Sequence, residues 1–178
     1  MGDIMRKSLL KRDISLRRLE LEDAVPMLEW LKNPDIYEKM QYDPEKQNME
    51  QCIAFIKNSW KDQKNLHYAV TDSKNEYFGT VSLKNVDTQN KNAELGIVLH
   101  PKAFGKGIGA EALRLIAQIA FEEMDLHKIY LYVRQDNKRA VRFYRKNGWE
   151  CEGDFKEHIL ARGEYKDIYW FALRKTMA

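Results

Sequence analysis

Residues 100–121 read HPKAFGKGIGAEALRLIAQIAF. Glycines alternate with other residues at Gly105, Gly107 and Gly109, and a run of strong helix formers follows without a break. A helix N-terminus carries unpaired backbone N–H groups and the positive end of the macrodipole. Glycines beside it let an anionic oxygen approach the backbone, so Phe104 to Ala110 can cradle a phosphate, with Lys106 adding positive charge. The plainer alternative is a flexible lead-in to a helix, although three alternating glycines exceed what a cap needs. A P-loop requires Gly-Lys-Ser/Thr, and here Gly107 is followed by Ile108. Gly107 to Ala112 does fit the dinucleotide pattern G-x-G-x-x-A, with Asp136 downstream. That pattern should start directly at a strand end, whereas His100 to Lys106 intervene after Leu99, and only about 40 residues follow Asp136 for further βαβ units.

The elements around this junction set the fold class. NAELGIVL (92–99) before it and KIYLYVR (128–134) after it read as strands flanking a helix of about residues 107–124, a right-handed crossover with near-parallel outer strands. Upstream, ISLRRL (14–19), LHYAVTD (66–72) and EYFGTVSLKNV (76–86) are strands joined to 92–99 by short polar turns, which predicts an antiparallel meander. Two helices interrupt it. One covers 22–33 with Val25, Leu28 and Leu31 at helical spacing; the other covers 49–63 with Cys52, Ile53, Phe55, Ile56 and Trp60 as its apolar face. YEKMQYDPEKQ between them is a loop or short helix. A shorter helix over 137–148 and two last strands complete the chain. The expectation is an α/β (α+β) domain: a mixed, twisted seven-stranded sheet with about four helices on its faces, spanning 14–178 behind a loose leader at 1–13.

A chain of 178 residues holds one full core. The formal charge of +3 makes no strong case for nucleic acid or membrane. KRAVRFYRK (138–146) reads as one basic helix face rather than a nucleic-acid arm. Cys52 and Cys151 do not make a disulfide framework and are expected as free thiols. The N-terminus lacks an apolar signal core, so a cytoplasmic protein is expected, monomeric or homodimeric. His67, His127 and His158 have no metal-ligand spacing, and no metal is expected.

Residues 93–153 resemble the GNAT N-acetyltransferases, which use acetyl-CoA. That family has Gln/Arg-x-x-Gly-x-Gly/Ala opening a helix, here Phe104-Gly105-Lys106-Gly107-Ile108-Gly109. After the next strand it has Asn-x-x-Ala-x-x-x-Tyr-x-x-x-Gly-Phe, here Asn137 to Trp149 with Ala140, Tyr144 and Gly148 in register. Phe104 departs from Gln or Arg, as in the branch resembling ribosomal-protein and spermidine acetyltransferases. The resemblance implies that pantetheine runs beside Ile97, Val98 and Leu99 like an added strand. It further implies that the pyrophosphate sits on amides of Phe104, Gly105, Lys106, Gly107, Ile108, Gly109 and Ala110, that Asn137 contacts the coenzyme, and that Tyr144 faces its sulfur.

Acetyl transfer to an amine needs a base for the ammonium proton, a polarised carbonyl and a protonated leaving thiol. Tyr144 is the candidate acid; its plain alternative is a core aromatic sharing a helical face with Ala140 and Phe143. An N–H near Val98 and Leu99 could polarise the carbonyl. Glu94, a lone carboxylate on the strand face of Gly96 and Val98, is the candidate base, with a cross-strand ion pair as the alternative. His100, beside a proline, is a second choice. Strands four and five must splay to admit the coenzyme, and a bulge would do this. Tyr37 and Tyr42, from the loop 33–43, are candidate acceptor contacts, with the last hairpin (154–166) opposite; Trp30 is read as core. The acceptor is a primary amine, either a protein N-terminus or a small molecule, with polyamines and amino-sugar nucleotides as alternatives. A non-catalytic acetyl-CoA-binding module is the rival class.

Overall fold

The computed structural model describes residues 13–176. The expected leader therefore lies, except for Asp13, outside the described residues. Seven strands form one sheet: β1 (Ser15–Arg18), β2 (Leu66–Thr71), β3 (Tyr77–Asp87), β4 (Asn92–Leu99), β5 (Lys128–Arg134), β6 (Glu150–Ala161) and β7 (Glu164–Arg174), in the order β1-β2-β3-β4-β5-β7-β6. All neighbours pair antiparallel except β4 and β5, which are parallel, as the crossover requires. Among the described residues five α-helices accompany them: α1 (Ala24–Leu31), α2 (Pro34–Tyr37), α3 (Met49–Ser59), α4 (Ile108–Gln118) and α5 (Lys138–Lys146). The one beyond the expected four is α2, a single turn with Pro34 in its first turn and Asn33 capping it through a 2.9 Å bond from Asp35 N–H.

The sheet is covered on both faces. One core joins Leu113 and Ile116 of α4, and Val141 and Tyr144 of α5, to Val70, Val81, Ile129 and Phe171. The other joins Met27 and Trp30 of α1, and Cys52 and Ile56 of α3, to Ala69 and Tyr77. Ala69 and Val70, adjacent on β2, belong to opposite cores, as a two-residue period demands. The buried stripe of α1 is Ala24, Met27 and Trp30, not Val25, Leu28 and Leu31; Val25 is 55% exposed. A one-residue shift turns a helix by about 100°, and here it seats Trp30, the largest apolar side chain of α1, inside, with its Nε1 3.5 Å from the Tyr77 hydroxyl. On α3, Cys52 and Ile56 are buried while Phe55, and Trp60 just past its end, reach the surface. Phe55 lies edge-on to His67, and Trp60 Nε1 donates to Leu19 O at 2.8 Å.

Helix α4 buries Ile108, Ala112, Leu113 and Ile116, a stripe at i, i+4, i+5 and i+8. It then runs into a π-helical turn over Ile119–Glu123. Both cysteines are free, Cys52 buried and Cys151 exposed. No helix among the described residues is long and apolar enough to cross a membrane.

Candidate active site

The parallel ladder between β4 and β5 is short. Asn92, Ala93 and Glu94 pair with Lys128, Ile129 and Tyr130, and there it stops. Beyond it β4 continues to Leu99 on β3, and β5 continues to Arg134 on β7. The two strands diverge, as expected, and the edge of β4 from Leu95 onward has no strand partner on that side. The accompanying irregularity is on the neighbouring strand: β3 carries one extra residue between Lys84 and Asp87, across from Ala93, with Asn85 at φ 50°. His100 N–H donates to Phe78 O at 2.8 Å. Counting back in twos, Val98 and Gly96 turn their backbone groups to β3, so Ile97 and Leu99 present theirs to the gap. Of the two amides expected near a carbonyl, Leu99 fits this geometry and Val98 does not.

The gap opens into a cleft of about 560 Å3. Its far wall is the start of α4. Gly107 precedes the helix in the left-handed region (φ 76°), and Gly105 is also left-handed (φ 71°). No protein atom lies within 4 Å of a Cβ built at either, so both glycines serve backbone conformation there. Helices α2, α3 and α5 are capped by Asn33, Asn48 and Asn137, whereas no side chain caps α4. Its first-turn amides are therefore left for another acceptor. Gly109 admits the crossing of β4 and α5: a Cβ there would stand 3.0 Å from Phe143 and 3.1 Å from Leu99.

Of the residues named for the coenzyme, Ile97, Val98, Leu99, Phe104, Gly105, Gly107, Gly109, Ala110 and Asn137 all line the cleft. Ile108 is buried in the core and Lys106 points to solvent, so neither side chain lines it. Phe104 carries the Arg139 guanidinium 3.9 Å over its ring, and Arg139 lines the cleft too. Asn137 Oδ1 accepts from Ala140 N–H at 3.3 Å, while its amide N–H groups make no bond among the described residues.

Tyr144 lines the cleft from α5. It is 8% exposed, packed against Phe143, Trp149 and Phe171, and its hydroxyl has no hydrogen-bond partner among the described residues. Burial pushes its pKa well above the ordinary phenol value. Tyr144 thus belongs to the core and also lines the cleft. Glu94 also lines the cleft, on the face of Gly96 and Val98, and is ion-paired across the strands. Lys84 Nζ donates to Oε1 at 2.6 Å and Asn85 Nδ2 to Oε2 at 3.0 Å. His100 is a turn residue. Its Nδ1 accepts from Lys102 N–H at 3.1 Å, and burial lowers its pKa.

Tyr37 and Tyr42 stand outside the lining, contrary to expectation. The Tyr42 hydroxyl donates to Leu31 O at 3.0 Å, and burial raises its pKa to about 12; Tyr37 lies under the Arg162 guanidinium. Asp35, Ile36, Lys39, Met40 and Gln41 of the same segment line the cleft in their place, with Tyr132, Arg134 and Ile159 opposite. Of the last hairpin only Ile159 takes part; Phe155 and Tyr165 are exposed on its surface. Lys84 and Arg139 were not legible as site residues, because a cross-strand register places one and a loop-to-helix stacking the other. Among the described residues no three His, Cys, Asp or Glu side chains cluster as a metal site.

A splayed parallel pair thus faces an uncapped, glycine-led helix across the cleft. The acetyltransferase (GNAT) domain matches residues 13–150, and the chain belongs to that family of N-acetyltransferases. It is 26% identical over 174 residues to an uncharacterised N-acetyltransferase, p20, of Bacillus licheniformis, covering 95% of this chain and 97% of that one. It is 27% identical over 154 residues to the spermidine N(1)-acetyltransferase of Escherichia coli K12, covering 86% and 82%. The crystal structure of spermidine N-acetyltransferase from Vibrio cholerae in complex with CoA and spermine superposes with a TM-score of 0.83 at 25% identity, over 91% of this chain and 95% of that one.

Proposed function

We propose that the protein transfers the acetyl group of acetyl-CoA to a primary amine. The observation that carries this reading is a single cleft where the unpaired edge of β4, the uncapped start of α4 and Tyr144 meet. The donor set suits a coenzyme A thioester. The first-turn amides of α4 offer N–H groups to a diphosphate, and Arg139 and Lys146 add positive charge on that side. The backbone groups of Ile97 and Leu99 can bond a pantetheine amide as a strand would.

Bound acetyl-CoA supplies the thioester that the amine attacks. The Leu99 N–H is placed to stabilise negative charge developing on the carbonyl oxygen. Glu94 takes the ammonium proton, directly or through water; a carboxylate has about four acceptor positions, so lone pairs remain beside those used by Lys84 and Asn85. Tyr144 stays protonated at neutral pH and donates a hydrogen bond to the departing sulfur. Complete proton transfer from it to a free thiolate is uphill, since a thiol titrates near roughly 8.5 and a phenol near about 10 or higher. Its contribution is therefore hydrogen-bond stabilisation while the C–S bond breaks, and the proton that ends on sulfur comes from the attacking amine or solvent. The acceptor enters from the α2 side, over Gly96 and Val98.

Calorimetric titration with acetyl-CoA, followed by thiol release against amines, peptides with free N-termini and amino-sugar nucleotides, tests the proposal. Association in the micromolar range and thiol release with at least one amine are expected. No heat of association at millimolar acetyl-CoA refutes it.

A further inference from the structure

The acceptor half of the cleft is crossed by a side chain that the transfer does not require. Lys84 of β3 faces Glu94 directly across the β3–β4 pair. Its ammonium holds Glu94 Oε1 at 2.6 Å, and the carboxylate side chain is only 15% exposed. Its methylenes run over Gly96: a Cβ built there would stand 3.1 Å from Lys84 Cε and 3.7 Å from Cδ. Gly96 leaves the room and Glu94 supplies the charge, so the lysine is fixed from two sides. The extra residue on β3 brings Asn85 to the second oxygen at 3.0 Å. Both ends of the ion pair line the cleft.

We infer that Lys84 is a specificity-determining residue: an internal ammonium that neutralises Glu94 and so excludes di- and polyamines, leaving acceptors without a second cationic group beside the reacting amine. The inference rests on the proposed reading of this cleft as an acetyl-acceptor site. A second ammonium is held by a carboxylate that lacks an opposing charge; one already paired offers little net attraction. Only two carboxylates, Asp35 and Glu94, line the cleft among the described residues. Glu94 is neutralised by Lys84, and Lys39 shares the rim with Asp35. Arg134, the remaining cation on this side, is held by Asp136 at 2.9 and 2.5 Å. A polyamine would find more positive than negative groups here. A single amine needs only to deliver its proton.

The experiment is calorimetric titration of spermidine and putrescine into CoA-saturated protein, for the wild type, Lys84→Met, Lys84→Gln and the double variant Lys84→Met/Glu94→Gln, with circular dichroism to verify folding. Lys84→Gln keeps the length and a polar end, and serves if the methionine variant does not fold. Spermidine is expected to bind each single variant at least ten-fold more tightly than the wild type, and the double variant no more tightly than the wild type. Equal binding to wild type and single variants overturns the inference, and so does a gain that survives Glu94→Gln. Titration with acetyl-CoA separates the two claims. Failure of every protein to bind it sinks the functional reading, whereas acetyl-CoA binding without the spermidine gain sinks the role of Lys84 alone.

Discussion

Replacing Tyr144 by phenylalanine separates the hydroxyl from the ring. The ring packs against Phe143, Trp149 and Phe171 at centroid distances of 5.4, 5.7 and 6.1 Å, and phenylalanine keeps all three contacts. The hydroxyl gives up no protein hydrogen bond, because it makes none among the described residues. Stability should therefore change by less than about 1 kcal/mol, a Tm shift of under about 4 °C for a chain of this size. Turnover should respond differently. A hydrogen bond to a charged group contributes about 1.5–3 kcal/mol, and losing it where negative charge gathers on sulfur lowers kcat by roughly ten- to a hundred-and-fifty-fold. The KM for acetyl-CoA should hardly move, since the contact strengthens only as the bond breaks. Burial keeps the phenol protonated past its ordinary value of about 10, so the wild-type kcat should not fall through Tyr144 ionisation at lower pH. Thiol-release kinetics beside a thermal melt measures all of this. A variant within two-fold of wild-type kcat, or one that melts more than about 10 °C lower, refutes the reasoning.

Three further outcomes follow from the geometry. Gly107→Ala forces a Cβ onto a φ of 76°, costing about 1–2 kcal/mol, and the displaced α4 amides should weaken acetyl-CoA binding by calorimetry more than the melt falls. Asp23→Ala strips the buried carboxylate that takes both Arg17 nitrogens at 2.8 Å and the Glu20 N–H at 2.9 Å; the expected loss is about 3 kcal/mol, or roughly 6–12 °C in Tm. His67, bonded through Nδ1 to the Ser82 hydroxyl at 2.7 Å, has its pKa lowered chiefly by burial. Its contribution to stability is complete above its unfolded value of about 6.5 and is lost as pH falls through the lower folded value. Thermal melts from pH 7 downward should show this slope, and His67→Gln should flatten it in part, since His100 is also held neutral by burial.

Much of the framework was legible because its signals are local. β-Branched and aromatic runs between turn-formers located β4 at 92–99 and β5 at 128–134 with the observed ends, and Gly105 and Gly107 marked a helix start that no side chain caps. The face of α1 was misread by one residue, because Val25, Leu28 and Leu31 keep helical spacing whichever stripe the sheet selects. The acceptor side was harder still. Tyr37 and Tyr42 attract attention by type, yet a backbone carbonyl and an arginine from the last hairpin occupy them. The partner of Glu94 sits ten positions upstream, reached only through the β3–β4 register and a one-residue bulge. Long-range pairing of this kind leaves no periodic trace.

Strand β4 divides its labour by chemistry. The backbone groups of Ile97 and Leu99 face the gap, while Glu94, Gly96 and Val98 send their side chains, or the lack of one, to the α2 side. Every amino acid but proline supplies the same peptide groups. Under the proposed mechanism, mutation at positions 84 and 96 can therefore redirect the enzyme to new amines while the grip on the thioester, and the base at Glu94, are inherited unchanged.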